Sequence, residues 1–268
     1  MDDDARKTFS EQGYIVVKDA LTQEHLAELN TIHDSMLEAG GLTSSSGKSI
    51  RSSAPASLAK GGCVAPTATV TDRHGRREYD GRRFWSQGYT DLIDQPTVLP
   101  ILEELLGDRG WGHAPPAVPV ELRSRVRLDH DNIHYQPAYT GGSLDDATAE
   151  RMRAGSNLHG GPSAHHITVV YELKSVGPGD GGFGCLPGSH KVSHNDIVEQ
   201  LPDGWRQNWA DTPWTARLPS WPVDDVPIHR VEAEAGDAII FTEKMKHGTI
   251  PWSGERERRT LFYKYCEF

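Results

Sequence analysis

A change of texture near Glu121 limits the fold more than any other feature of this chain. From there to the C-terminus, short β-type runs alternate with turns, at 125–135, 164–173, 182–186, 229–232, 238–241 and 260–265. Glycine and proline punctuate nearly every gap; one tolerates left-handed backbone and the other lacks an amide hydrogen. Before Glu121 the pattern is helical. Thr22 precedes Gln23-Glu24-His25-Leu26-Ala27-Glu28-Leu29, with apolar residues at helical spacing and an acid in the first turn, so a helix is expected to about Glu38. A second helix fits 96–106, and an apolar β-branched run, Tyr14-Ile15-Val16-Val17, follows Gly13. Helices followed by many short strands predict a mostly β, α+β fold: an antiparallel barrel or sandwich with helices packed on one side. The expected organisation is a single domain over 1–268, with a helical flank at 1–120 and a β-barrel core at 121–268. Within the flank, a stretch rich in Ser, Gly and Ala, taken at its widest as 40–80, reads either as a lid loop or as a disordered insertion.

Composition narrows the partners. The chain carries 38 acids against 28 bases, a formal net charge of −10, which disfavours polymeric nucleic acid. No apolar run approaches the roughly 18 residues needed to cross a membrane, and the acidic start Met1-Asp2-Asp3-Asp4 does not read as a secretory leader. The three cysteines, Cys63, Cys185 and Cys266, are widely spaced and form no metal or disulfide pattern, so a reducing cytoplasm is the default expectation. The 13 histidines, several of them between 130 and 194, are a reason to look for a metal or acid–base site.

Four local signals occur in order: Asn157-Leu158-His159-Gly160-Gly161; Gly181-Gly182-Phe183-Gly184-Cys185-Leu186-Pro187-Gly188-Ser189-His190; Ala235-Gly236-Asp237-Ala238-Ile239-Ile240-Phe241 leading to His247-Gly248-Thr249; and Arg258, eleven residues after His247. Each alone has an ordinary structural reading: a hydrogen-bonded histidine, a Pro-Gly turn, a hairpin entry, a solvated arginine. Together and in this order they resemble the phytanoyl-CoA dioxygenase-like family of iron(II)/2-oxoglutarate oxygenases, over nearly the whole chain.

That resemblance implies a double-stranded β-helix (jelly-roll, cupin-like) barrel. Its mouth would hold Fe(II) through a histidine, a carboxylate two residues later and a distal histidine, with 2-oxoglutarate and O2 as co-substrates. The metal ligands map to His159 and His247, the arginine that pairs with the distal carboxylate of 2-oxoglutarate to Arg258, and an assisting hydroxyl to Thr249. The chemistry suits these types: a planar guanidinium can grip a carboxylate through two parallel hydrogen bonds, and residues two apart on a strand share a face. Asp129-His130-Asp131-Asn132-Ile133-His134 alternates on an expected strand, placing His130, Asn132 and His134 on one face and Asp129, Asp131 and Ile133 on the other. One of these faces is expected to line the cavity, with His134 a candidate for contacting the oxoacid.

The chain departs from the family pattern at one place: Gly161 stands where the carboxylate belongs, 86 residues before His247. Two histidines without the carboxylate leave a further coordination position on iron. A halide, chloride above all, can occupy it and end on the substrate carbon, so Gly161 marks a halogenase-type variant and aliphatic chlorination of a small metabolite. Three other readings stay open. His194-Asn195-Asp196 is a literal His-x-Asp motif, although it follows the Pro-Gly-Ser-His stretch. A more distant carboxylate, with Asp129 and Asp131 as candidates, or a water could fill the place and leave a hydroxylase. The chain could also be a non-catalytic metal-binding protein of cupin type, against which Arg258 speaks. Lys48, Arg51, Lys60 and the bases at 73–77 flank the expected lid and would suit an anionic substrate such as a nucleotide.

Overall fold

The computed structural model describes residues 1–38, 49–53, 68–72, 75–78, 86–106, 126–136, 138, 166–191, 229–250, 252 and 254–267. The chain starts with helix α1 (Asp3–Gln12), which Asp2 caps by accepting from the Ala5 amide at 2.7 Å and which Gly13 ends at φ 87°. Strand β1 (Tyr14–Val17) leaves directly from that glycine. Helix α2 (Gln23–Glu38) follows, with Thr22 Oγ1 accepting from the His25 amide at 3.2 Å as the sequence led one to expect. After strands β2 (Ser49–Ser53), β3 (Ala68–Asp72) and β4 (Gly75–Glu78) come helices α3 (Gln87–Thr90) and α4 (Leu99–Leu106). The remaining strands are β5 (Val126–Gln136), β6 (His166–Glu172), β7 (Gly182–Cys185), β8 (His229–Arg230), β9 (Ala238–Thr242), β10 (His247–Ile250) and β11 (Arg258–Glu267).

Among the described residues these strands form two antiparallel sheets. One has eight strands in the order β1-β9-β6-β11-β5-β2-β3-β4, and the other has three in the order β10-β7-β8. Strands β1 and β2–β4, which precede residue 120, belong to the large sheet. The stretch expected as a loop at 40–80 carries three strands, because β2 pairs with β5 and brings β3 and β4 with it. Pairing to an existing edge overrides the weak β propensity of Ser49-Ile50-Arg51-Ser52-Ser53. Among the described residues no helix is long and apolar enough to cross a membrane.

The central strands separate two environments by alternation. Ile167, Val169 and Tyr171 of β6, Leu261, Tyr263 and Tyr265 of β11, Ala238 and Ile240 of β9, and Ile15 of β1 pack with Leu26 and Leu29 of α2 and Leu102 and Leu106 of α4. Full burial of side chains of this size stabilises by about 1.5–3 kcal/mol each, so this layer fixes the sheet against the helices. The opposite face meets the small sheet: Val170, Ile239 and Phe241 pack with Phe183, Cys185 and Met245, with Tyr14, Val16 and Phe262 alongside. That second layer is the inside of the jelly roll, and the chemistry-bearing side chains point into it.

Candidate active site

On β10 the register sets His247 opposite Cys185 and Thr249 opposite Phe183, so both face the inner layer as two residues of one strand face should. The His247 ring, 5% exposed, lies 4.5 Å from the Phe241 ring and 6.0 Å from that of Phe183. Its Nδ1 stands 2.8 Å from the Met245 carbonyl oxygen. A carbonyl only accepts, so Nδ1 carries the proton and, in the neutral ring, Nε2 keeps its lone pair for a metal. Nε2 looks toward Glu243 Oε1 at 3.9 Å.

Arg258 opens β11 on the same inner face. Its side chain is 1% exposed, and Nη2 donates to Glu172 Oε1 at 3.0 Å. Thr260 holds the other oxygen of Glu172 through its hydroxyl, so the carboxylate is pinned from two sides. The guanidinium is engaged on one edge only: Nε and Nη1 are buried without a hydrogen-bond partner among the described residues. Such donors are costly to leave unmade, and a carboxylate of an oxoacid can take one of them side by side with the remaining Nη2 hydrogen through two parallel bonds. Gly182 packs against this guanidinium at φ 91°, a backbone conformation that favours glycine. The residues present thus suit both groups that the resemblance calls for: a histidine nitrogen for the metal and an open guanidinium edge for the oxoacid.

The motif residues around them are braces. Asp237, 1% exposed, accepts from the Asp19 amide at 3.0 Å, the Glu234 amide at 2.7 Å and Lys18 Nζ at 2.5 Å, tying β1 to the entry of β9. Ser189 Oγ accepts from the Lys246 amide at 2.8 Å, and the Leu186 amide donates to the Lys246 carbonyl at 2.8 Å, so the Pro-Gly-Ser-His turn clamps the residue before His247. Gly188 donates to the Gln12 carbonyl at 2.8 Å and anchors the turn to α1.

His134 lies on the inner face of β5, opposite Thr260 and with its ring 4.5 Å from Phe262. Of the two faces read from 129–134, it is therefore the histidine face that joins the cavity layer. Asp131 falls on the other face, opposite Tyr263 in the helix-side layer, and is no candidate for completing a metal site with His247. Burial raises its carboxyl to about 7, against a backbone hydrogen bond that works the other way. His159, Gly161 and His194-Asn195-Asp196 lie outside the described residues.

Two carboxylates were not singled out from the sequence, Glu172 and Glu243. Glu243 Oε1 accepts from Thr168 Oγ1 at 2.6 Å and Oε2 from Lys264 Nζ at 3.0 Å. Burial by itself would raise this carboxyl, but His247 when its ring is protonated, together with Lys264 and the Thr168 hydroxyl, holds it down at about 2. Its one legible signal was its place four residues before His247. Among the described residues no three His, Cys, Asp or Glu side chains converge, so Glu243 and His247 stand as a pair.

Comparison with known proteins identifies the family and the fold. The family described as phytanoyl-CoA dioxygenase (PhyH) matches residues 9–260. Solved structures with the same fold include HygX from Streptomyces hygroscopicus with nickel and 2-oxoglutarate bound, at TM-score 0.60 and 13% identity, covering 100% of this chain and 87% of that one. The 2-oxoglutarate-dependent carbocyclase SnoK from nogalamycin biosynthesis matches at TM-score 0.55 and 16% identity, covering 100% of this chain and 84% of that one. The epimerase SnoN from the same biosynthesis matches at 0.54 and 16%, covering 98% and 80%. No curated protein matches the chain by sequence.

Proposed function

We propose that this chain, which belongs to the phytanoyl-CoA dioxygenase (PhyH) family of iron(II)/2-oxoglutarate-dependent oxygenases, oxidises an unactivated C–H bond of a small metabolite, hydroxylation being the simplest outcome. The observation that carries this reading is the half-open Arg258: a fully buried guanidinium whose Nε and Nη1 lack partners among the described residues, on the same inner face as His247. Iron bound with 2-oxoglutarate supplies the oxidising power, consuming O2 and releasing succinate and CO2.

The chain's own residues do the positioning. Glu172, itself held by Thr260, engages Arg258 through Nη2, so the rest of the guanidinium is held in one orientation to receive the oxoacid. Met245 holds the His247 ring in the tautomer that presents Nε2. Phe183 and Phe241 cover the ring and keep water from it. Thr249 and His134, on the same layer, would touch the oxoacid in this reading, and His159 would be the first metal ligand. A free small molecule, rather than a polymer, suits the net charge of −10. HygX is known with hygromycin B bound, and SnoK and SnoN belong to nogalamycin biosynthesis; they favour a natural-product type of substrate.

Halogenation is the second reading, carried by Gly161 at the carboxylate position. It requires a coordination place that chloride can enter. The test is an anaerobic titration of the apoprotein with iron(II) and 2-oxoglutarate, followed by the visible charge-transfer band, with and without chloride. A band that forms in the native chain and is lost in Arg258→Gln supports the oxygenase reading. No band in the native chain overturns it. A chloride-induced shift supports halogenation.

A further inference from the structure

We infer that Glu243, beside His247, supplies the metal site with the carboxylate ligand that the sequence lacks at Gly161. The inference rests on the oxygenase reading above and goes beyond it by naming a ligand that the family's His-x-Asp pattern does not contain.

The geometry comes first. Two donor atoms each about 2.1 Å from one ion stand roughly 3.0 Å apart when cis and roughly 4.2 Å apart when opposite. The 3.9 Å between Glu243 Oε1 and His247 Nε2 must shorten by roughly 0.9 Å to reach the cis separation, which a rotation of the Glu243 side chain can supply. The histidine atom on that side is the one its tautomer prepares for a metal, because Nδ1 is committed to the Met245 carbonyl. Glu243 follows β9 in a tight turn in which the Met245 amide donates to the Thr242 carbonyl at 3.0 Å. The turn holds its carboxylate against the ring four residues later.

The surroundings match those of a ligating carboxylate. Ligands of this kind are themselves hydrogen-bonded, and those bonds set orientation and basicity. Glu243 has such support on both oxygens, from Thr168 and Lys264, and its own amide donates to the His166 carbonyl at 3.0 Å. Its side chain is 13% exposed, little enough to be held and open enough for an ion to reach. Lys264 lies six residues along β11 from Arg258, so one strand face carries both the cation that braces this carboxylate and the cation that would receive the oxoacid. The oxygen that Thr168 supports is also the one turned toward the imidazole.

A consequence separates this inference from halogenation. With Glu243 on the metal, two histidines and one carboxylate are again present, and chloride has no vacant place. The chain would then be an oxygenase whose missing carboxylate has moved in sequence rather than disappeared.

The test is iron(II) affinity, measured anaerobically by equilibrium dialysis on the full chain, with the charge-transfer band and its chloride response as a second readout. Glu243→Gln is expected to lower iron affinity by about 100-fold or more, the upper end of what loss of a single supporting partner costs. Lys264→Met breaks the same ion pair but keeps the carboxylate, and is expected to bind iron at least about tenfold better than Glu243→Gln. The band of the native chain should ignore chloride, and in Glu243→Gln, at iron concentrations that load the site, a chloride-dependent shift should appear. Adding Gly161→Asp to Glu243→Gln should restore iron affinity. If Glu243→Gln binds iron like the native chain, or if Lys264→Met weakens binding as much as Glu243→Gln does, Glu243 is not a ligand, while the oxygenase reading stands. If the native chain binds no iron, the oxygenase reading fails first.

Discussion

Arg258 and Glu172 form an ion pair at 3.0 Å in which each side chain is 1% exposed. Buried pairs of this kind contribute little net stability, yet removing one partner is expensive because the other charge is stranded, typically at 3–5 kcal/mol. Here the pair is arranged so that a second anion can share the arginine. Glu172→Gln should therefore unfold at lower temperature than the native chain. It should also gain more from added 2-oxoglutarate, since the oxoacid then provides the counter-charge. Thermal unfolding with and without 2-oxoglutarate measures both, and equal shifts in the two proteins would mean that the oxoacid does not reach this arginine.

Replacing Arg258 by Lys keeps the charge and removes the fork. Hydrogen bonds to charged groups contribute about 1.5–3 kcal/mol, so losing the open edge should weaken 2-oxoglutarate binding by roughly ten- to a hundredfold. Iron affinity without the oxoacid should change little. Titration calorimetry of the iron-loaded protein reads the difference.

Asp131 predicts an alkaline loss of stability. Burial raises its carboxyl to about 7, so the folded chain prefers it protonated. Its contribution is complete below the ordinary carboxylate range and is lost as pH rises from about 4 through 7. Each pH unit in that window costs up to about 1.4 kcal/mol. Asp131→Asn should be more stable than the native chain at pH 8 and should lose most of that advantage at pH 4. Urea unfolding at the two pH values checks it, and a pH-independent difference would contradict the placement of Asp131 in the helix-side layer.

His33 acts in the opposite direction. It is fully buried in α2 beside Tyr135, with neither ring nitrogen partnered among the described residues. Burial, helped by the nearby Arg259, lowers it to about 3. Stability is therefore retained above pH about 6.5 and falls as pH drops toward 3, because unfolding lets the ring take a proton. His33→Phe should flatten the acid side of the stability profile over that window. An unchanged acid limb would show that another group sets it.

Ser189→Ala removes the acceptor that holds the Lys246 amide at 2.8 Å. A buried unsatisfied amide costs about 1–3 kcal/mol, and the loss falls one residue from His247. The variant should be less stable by that amount and bind iron more weakly, while 2-oxoglutarate recognition through Arg258 keeps its salt dependence. Iron dialysis and thermal unfolding on the same sample separate the two effects.

Much of this site could be read from residue order because strand alternation is a strict rule. His247 and Thr249 had to share a face, and the histidines of 130–134 had to oppose the aspartates. What could not be read lies where no period operates. Glu243 sits in the turn between β9 and β10, and a turn gives no rule for where its side chain points. Glu172 looked like the polar end of a strand until Arg258 and Thr260 were seen on either side of it. Strands β2 to β4 were hidden for another reason: their sequence is weakly β-forming, and pairing with β5, 73 residues further on from Ser53, decides their state. Asp129 and Asp131 are candidate carboxylates from a neighbouring strand, but the register with β11 sets Asp131 opposite Tyr263, away from the cavity layer.

Strand β11 serves two masters. Arg258, Thr260, Phe262 and Lys264 face the chemistry, while Leu261, Tyr263 and Tyr265 bind the helices, and the register shifts once, between Lys264 and Tyr265. Inserting or deleting one residue upstream of that shift would exchange the two sets at a stroke, sending the tyrosines into the cavity and the arginine into the apolar layer. Descendants of this chain can thus vary β11 by substitution but hardly by length. New substrates would have to be found through the connecting segments, which can grow or shrink without disturbing the strand that works on both sides.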